Sequence, residues 1–440
     1  MKFRFNSLQA LAGGFALIIL LGGFLLWLPV SNRSNLSFLN AIFTATSATC
    51  VTGLVATDTW SSFTMFGQVV ILLLIQIGGL GFMMVGVLFS MVLRKRIGLR
   101  QRLFMRDSIG SPRVSGIVRM TKHVLIAVGI IEGTGAAILA TQFIPQFGVA
   151  QGIWCGIFHA VSSFCNAGFD ILGRISPYCS LVPYQSNPVV IITVGSLIIV
   201  GGLGFFLWND IGQKKLHIAK YSLHTKIMLT GTFVLVFGGA VGFFFLEKNA
   251  AFKGMNLGTR LLSSFFQSVT ARTAGYNSCD QAALSSGGAL LTILLMFVGA
   301  GPGSTGGGVK VTTVAVLLFG VHSRIKNKRG ISVFKRTLEP EASETASLNA
   351  TVYLMLALFG SMVLCAQGFS IRDSFYEVFS AIGTVGLTMG ITRDLSILSK
   401  LVIILLMYLG RVGSLSVALA VIPHHEIQTT KYPTEKIIVG

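Results

Sequence analysis

Four stretches decide the fold: Ala48-Thr49-Cys50-Val51-Thr52-Gly53-Leu54, Ser163-Phe164-Cys165-Asn166-Ala167-Gly168-Phe169, Ala271-Arg272-Thr273-Ala274-Gly275-Tyr276 and Ile382-Gly383-Thr384-Val385-Gly386-Leu387. Their glycines, Gly53, Gly168, Gly275 and Gly386, are spaced 115, 107 and 111 residues apart. Ten residues before each glycine stands an aromatic: Phe43, Phe158, Phe265 and Tyr376. Five or six before it stands a hydroxyl: Ser47, Ser162 with Ser163, Thr270, and Ser380. A large side chain follows each glycine, namely Leu54, Phe169, Tyr276 and Leu387. Self-similarity at a fixed period marks one structural unit used repeatedly.

Outward from these stretches the chain is apolar. Long apolar runs cover 8–28, 66–93, 189–207, 225–246, 288–318 (interrupted) and 401–421. A helix needs about 20 such residues to cross a bilayer. Of the 440 residues, 52% are hydrophobic and 11% charged. A soluble chain carries about a quarter charged residues, so a soluble protein is excluded. The run at 8–28 exceeds a signal-peptide core and lacks a small-residue cleavage site, so it reads as a retained helix.

The quoted segments are too short and polar to span, and each lies between two apolar helices. The predicted unit is therefore an outgoing helix, a re-entrant half-helix, an extended loop and a returning helix. The predicted fold is an all-α polytopic membrane protein with four repeats of helix–pore-loop–helix around a central pore. It has eight spanning helices and four re-entrant pore helices. Residues 1–440 form a single ion-translocating domain. The repeats fall at approximately 1–94, 115–213, 222–321 and 346–425, with a C-terminal tail at 426–440.

A net charge of +19 raises the question of nucleic acid. Its distribution answers it. Nine Lys and Arg fall in 94–122, four in 214–226 and six in 324–336, together 19 of the 34. These segments alternate with basic-poor loops such as 55–62 and 141–153. That is the positive-inside pattern. It predicts a multi-pass protein of the cytoplasmic membrane, with both termini and the three basic loops in the cytoplasm and no nucleic-acid role. Trp27, Trp60, Trp154 and Trp208 lie near predicted helix ends, as an interfacial belt does. The six cysteines have no metal spacing. Cys50 and Cys165 hold equivalent places in two repeats, and Cys179 and Cys279 in predicted external loops leave a disulfide open.

A dehydrated cation needs oxygens to replace its water. Non-helical backbone persists at membrane depth only where it is buried or lines an aqueous path. A ring of backbone carbonyls can do that work. Glycine permits the unusual backbone angles required. The predicted ion-binding residues are Val51, Thr52 and Gly53; Asn166, Ala167 and Gly168; Thr273, Ala274 and Gly275; and Thr384, Val385 and Gly386. No carboxylate ring accompanies them, and no transition-metal site is expected. The half-helices would point their negative dipole ends at the cation. The competing reading, glycines that only permit helix packing, has to account for four matched occurrences.

A second stretch, 297–312, reads Phe-Val-Gly-Ala-Gly-Pro-Gly-Ser-Thr-Gly-Gly-Gly-Val-Lys-Val-Thr. Six of the ten residues 299–308 are glycine, and Pro302 is among the rest. Both are poor helix formers. The third returning helix should break there, below the ring. Gly301-Pro302-Gly303-Ser304-Thr305-Gly306 has dinucleotide-motif spacing but no βαβ context. The functional reading is a gate made of Gly299, Gly301, Gly303, Gly306, Gly307, Gly308, Lys310 and Arg411. A packing kink is the alternative. Milder glycine clusters occur at Gly78-Gly79-Leu80-Gly81, Gly201-Gly202-Leu203-Gly204 and Gly410-Arg411-Val412-Gly413.

Arg411 stands inside the last apolar helix, 25 residues after Gly386. Charges at membrane depth usually face an interior cavity. It is expected to contact the glycine-rich loop and raise an electrostatic barrier. Pairing with a buried acid or with loop carbonyls is the structural alternative, and the two roles are compatible. Lys310 is expected to anchor the lower end of the loop or to snorkel to the interface. Intramembrane Glu132 reads as a hydrogen-bond partner rather than an ion site.

At these residues the chain resembles the Trk/Ktr/HKT superfamily of potassium transporters. Thr384-Val385-Gly386 looks like the start of the potassium-channel filter signature, and Arg272-Thr273-Ala274-Gly275-Tyr276-Asn277 looks like the family's third loop. The short N-terminus is closer to the Ktr-type subunit. The resemblance implies potassium uptake through a gated pore, with sodium dependence as in Ktr-type systems. It implies a homodimer with one pore per protomer, and a cytoplasmic ring of RCK-type nucleotide-binding regulatory subunits. No cofactor is expected in this chain, and nucleotide acts only through that partner. The basic loops are then docking surfaces or anchors to membrane lipids. The alternative is a coupled secondary cation transporter with broken-helix alternating access. A non-transporting scaffold leaves four matched loops unexplained, and an enzyme lacks a nucleophile–base or metal constellation.

Overall fold

The computed structural model describes residues 7–33, 35–81, 98, 116–215, 217–327 and 330–413. The tail at 426–440, most of the basic segment 94–115 and the ends of the apolar runs at 66–93 and 401–421 lie outside the described residues. The described residues form fifteen α-helices and one short hairpin.

Four long apolar helices open the repeated units: α1 (Ser7–Trp27), α5 (Ile117–Phe147), α9 (Leu223–Leu246) and α13 (Pro340–Ala366). Each is long and apolar enough to cross a membrane. Large apolar side chains stand outside on them, such as Phe245 at 71% exposure and Met362 at 70%. A water-soluble protein does not leave such a surface uncovered. This is a membrane protein.

Four shorter helices follow: α2 (Phe38–Thr49), α6 (Val149–Phe164), α10 (Leu257–Thr270) and α14 (Ile371–Gly383). Three start at polar N-caps, Ser37, Asn256 and Ser370, whose side-chain oxygens accept from backbone N–H groups three residues on. Such caps satisfy donors that a helix start leaves open. Their C-terminal halves are buried.

The returning helices are α4 (Met65–Leu80), which follows the single turn α3 (Thr59–Ser62), then α7 (Pro188–Gly202), α11 (Ser286–Phe297) and α15 (Ile397–Val412). They have 16, 15, 12 and 16 residues. Sixteen residues rise only about 24 Å, short of the ~30 Å hydrocarbon core. Eight unbroken spans are therefore not what the described residues contain. The returns halt at the glycine clusters. Gly81, Gly204 and Gly413 have φ of 81°, 94° and 96° at the stops. After α7 the chain turns by 91° into α8 (Phe205–Lys214). After α11 it enters the glycine-rich loop and resumes as α12 (Val311–Ile325).

Glycines also set how closely the layers approach. A Cβ at Gly78, Gly201 or Gly410 would run into the carbonyl of Thr49, Phe164 or Ile382. Each of those carbonyls belongs to the last turn of that repeat's own short helix or the residue beside it. Small residues permit such backbone contact in membranes. The hairpin, β1 (Ser332–Val333) with β2 (Arg336–Thr337), sits between α12 and α13. Phe334 and Lys335 take the two positive-φ positions of its tight turn.

Candidate functional site

The loops after α2, α6, α10 and α14 share one backbone. Two residues before each glycine, Val51, Asn166, Thr273 and Thr384 are left-handed, with φ of 51°, 58°, 71° and 51°. The glycines themselves have φ of 93°, 67°, 82° and 94°. Val51, Thr273 and Thr384 are β-branched, and left-handed angles cost such residues roughly 1–2 kcal/mol each. Strain repeated four times in one place is a mark of function.

Hydroxyls hold these turns. Gly53 N donates to Ser47 Oγ and Gly386 N to Ser380 Oγ, both at 3.0 Å. Ser162 Oγ donates to Phe169 O at 2.8 Å, and Thr270 Oγ1 to Tyr276 O at 2.7 Å. The interval from hydroxyl to glycine is six residues in repeats one, two and four and five in repeat three. The third loop is thus one residue shorter, which moves its aromatic. Phe266, not Phe265, is fully buried like Phe43, Phe158 and Tyr376. Phe265 is only partly buried. Counting back from the glycine concealed this, and counting four back from the hydroxyl would have found it.

The four loops meet in a closed cycle. A Cβ at Gly53 would lie 2.6 Å from Ala167 O and 3.1 Å from Gly168 Cα. One at Gly168 would lie 2.5 Å from Ala274 O and 3.1 Å from Gly275 Cα. One at Gly275 would strike Val385 O, and one at Gly386 would strike Thr52 O. Each glycine thus faces the carbonyl that precedes the next glycine, and the fourth loop returns to the first. Tyr276 Oη adds a bond between loops, donating to Phe169 O at 3.0 Å. The sequence flagged this aromatic without assigning it that task.

The glycine-rich loop, residues 298–310, lies against this ring. Val298 and Val309 pair at its neck, where Gly299 N donates to Val309 O at 2.8 Å. Gly307 N donates to Thr384 Oγ1 at 3.0 Å. A Cβ on Gly306 would meet Thr273 Oγ1, and one on Gly307 would meet Thr384 Oγ1. Thr305 Oγ1 donates to Phe164 O at 3.1 Å, and the Asn166 amide lies 3.0 Å from Thr273 Oγ1. Lys310 Nζ donates back into the loop, to Gly306 O at 2.8 Å and Gly307 O at 3.2 Å. Gly301 N donates to Gly202 O at 2.9 Å, and Phe205 N to Gly303 O at 2.9 Å.

Arg411 joins the parts. Its guanidinium donates to Thr305 O in the loop and to Gly78 O and Gly79 O at the end of α4, the last at 3.0 Å. These acceptors are carbonyls, as the structural alternative for this residue had it, and one of them belongs to the glycine-rich loop. Charge-assisted hydrogen bonds are worth about 1.5–3 kcal/mol each when made by a charged donor. Glu132 accepts from Gln76 Nε2 at 3.1 and 3.2 Å, and Cys165 Sγ donates to Gln76 Oε1 at 3.4 Å. Buried Glu377 behind the fourth loop accepts from Thr388 and Thr392, and Arg272 is buried beside the third. The sequence reading gave neither a role, because an acid or arginine near a loop carries no periodic signal. Cys179 and Cys279 are free thiols.

A membrane-embedded helical protein whose four repeated loops close one ring of backbone oxygens belongs to the class of membrane transport proteins. The comparisons with known proteins specify the family. Residues 14–430 match TrkH, the cation transport protein family. The chain is 44% identical to the potassium/sodium uptake protein NtpJ of Enterococcus hirae, over 99% of this chain and 98% of that one. It is 38% identical to the Ktr system potassium uptake protein B of Bacillus subtilis, over 99% and 97%. The crystal structure of the potassium transporter TrkH from Vibrio parahaemolyticus has the same fold, with a TM-score of 0.76 at 17% identity, covering 96% of this chain and 86% of that one. The chain belongs to the Trk/Ktr cation transporters as a membrane subunit. Its family is one of transporters, not enzymes.

Proposed function

We propose that this chain takes up potassium across the cytoplasmic membrane through a gated pore lined by the carbonyls of its four repeated loops. The closed cycle Gly53–Gly168–Gly275–Gly386 carries the reading. Backbone oxygens at Thr52, Ala167, Ala274 and Val385 replace the hydration shell of the cation without a fixed negative charge. Val51, Asn166, Thr273 and Thr384, held left-handed, keep successive carbonyls turned toward one axis. The names of the two curated relatives supply the ion: potassium for one, potassium and sodium for the other.

The glycine-rich loop acts as the gate. Its hydrogen bond to Thr384 and its contact with Thr273 support this reading. Arg411 holds it through Thr305 O, Lys310 braces it internally through Gly306 O and Gly307 O, and Arg411 also adds positive charge in the path of a cation. Opening requires the Thr305–Arg411 contact to break. Each repeat contributes one spanning helix, one half-helix and one returning helix that stops short, within boundaries near 1–94, 115–213, 222–321 and 346–425. The chain works as a homodimer with both termini cytoplasmic, under an RCK-type nucleotide-binding subunit. The name of the Ktr relative, one protein of a system, supports a separate partner.

Rubidium uptake by the purified chain in vesicles, with potassium and sodium as competitors, tests this reading. Uptake down a gradient, competed better by potassium than by sodium, is expected. No rubidium or potassium flux, with or without a regulatory subunit, would overturn it. Flux that requires a sodium gradient rather than sodium itself would replace it with the coupled-transporter reading.

A further inference from the structure

The bend between α7 and α8 is built into the glycine-rich loop. Gly301 N donates to Gly202 O at 2.9 Å, Thr305 N to Gly201 O at 3.3 Å, and Phe205 N to Gly303 O at 2.9 Å. Residues 201–205 therefore form an edge along which 301–305 is bonded. Gly204, at φ 94°, allows the approach, since a Cβ there would lie 2.7 Å from Pro302 O. The loop cannot leave the ring without breaking these bonds or carrying α8 with it.

Helix α8 has the form of a membrane-surface helix. It runs at 91° to α7. Phe205 and Leu207 are buried, and Trp208 packs on Phe164, the last residue of α6, with ring centroids 5.7 Å apart. The far end is basic. Lys214 is followed by exposed Lys215, His217 and Lys220, and by Lys226 in the first turn of α9. Asp210, the acid on this helix, is engaged by Lys214, Ser222 N and Thr225 Oγ1. Its contacts with Ser222 and Thr225 tie α8 to the start of α9. A helix with a buried apolar face that ends in an exposed lysine cluster matches the chemistry of anionic headgroups.

We infer that α8 is a lever whose basic end binds anionic phospholipid headgroups, and that this binding holds residues 301–305 in place beneath the four-glycine ring. The effect on transport rests on the proposed role of the glycine-rich loop as gate. A ligand that favours the conformation in which α8 lies flat favours the loop position bonded to it. Anionic lipid therefore lowers basal flux.

The full chain in phosphatidylcholine vesicles, with or without about one third phosphatidylglycerol, provides the test. Two readouts are taken: rubidium uptake, and hydrogen exchange at the amides of 299–308. Phosphatidylglycerol is expected to lower both by about threefold. Lys215→Gln with Lys220→Gln should abolish both differences. Phe205→Pro, which keeps a residue favoured at a first helical position but removes the N–H that Gly303 accepts, should abolish them too. Phe205→Leu, which keeps that N–H, should not. Readouts insensitive to headgroup charge, or equally sensitive after the lysines are changed, would overturn the lever. So would a response to a soluble partner protein but not to lipid, which would make this face a protein-docking surface. No rubidium uptake in any vesicle, with the exchange difference intact, would overturn the proposed transport and leave the lever standing.

Discussion

The ring of four glycine loops and the layer directly beneath it use the same residue for different ends. In the ring, glycine supplies a backbone angle and a close approach to a neighbouring carbonyl, and it does so four times in nearly the same way. Beneath the ring the repeats diverge. Three returning helices simply halt or turn at their glycines, and the third opens into thirteen residues of loop, 298–310. The fourth also contributes Arg411 from its last turn, which reaches the loop and the end of α4. The upper layer follows from repetition. The lower layer follows from one repeat supplying a loop and another supplying the arginine bonded to it.

The comparison breaks most decisively at the ring. Gly386→Ala forces a Cβ into Thr52 O at a φ of 94°. Rubidium uptake is expected to fall about a hundredfold, from left-handed strain plus displacement of two loops. Gly53→Ser, whose Cβ would lie 2.6 Å from Ala167 O, should also degrade potassium-over-sodium preference in competition flux. An unaltered preference would remove that loop from the ion path.

In the lower layer the expected sign reverses. Arg411→Gln, or shortening 299–308, should raise basal uptake about tenfold, since charged hydrogen bonds to carbonyls of the loop and α4 are lost. Unchanged uptake in both would make the loop a packing kink. Lys310→Met removes two bonds internal to the loop and should raise uptake by less, about threefold. A larger effect than Arg411→Gln would place the latch on the loop itself. Least affected should be Tyr276→Phe. It removes one bond between loops and is expected to cost about 1 kcal/mol, seen as a small drop in thermal stability with potassium preference retained.

Much of the ring was legible in the sequence because its requirements are local and repeated. A glycine, a hydroxyl five or six places before it and an aromatic further back leave a period that can be read, whereas the left-handed residue two before each glycine has no common side chain to mark it. The period misled in one place. The third loop lacks one residue, so the aromatic ten before Gly275 is Phe265, while Phe266 fills the core. Helix lengths were less legible. Hydropathy runs on past Gly81, Gly204 and Gly413, but the helices end at or beside these positive-φ glycines, just after Gly78, Gly201 and Gly410, where the short helices press their carbonyls. Composition cannot register a stop imposed from another segment.

The sequence by itself determined a membrane chain of repeated units, the four glycine loops and the break at 298–310, since hydropathy, period and glycine content are properties of neighbouring residues. Only the tertiary structure decided the rest. It set the cyclic order in which each glycine meets the next repeat's carbonyl. It gave Arg411 its three acceptors in two other repeats. It bonded the turn into α8 along the glycine-rich loop. These contacts join residues about a hundred or more apart in the chain, and their partners are backbone groups, which every residue carries and which therefore leave no mark in the sequence.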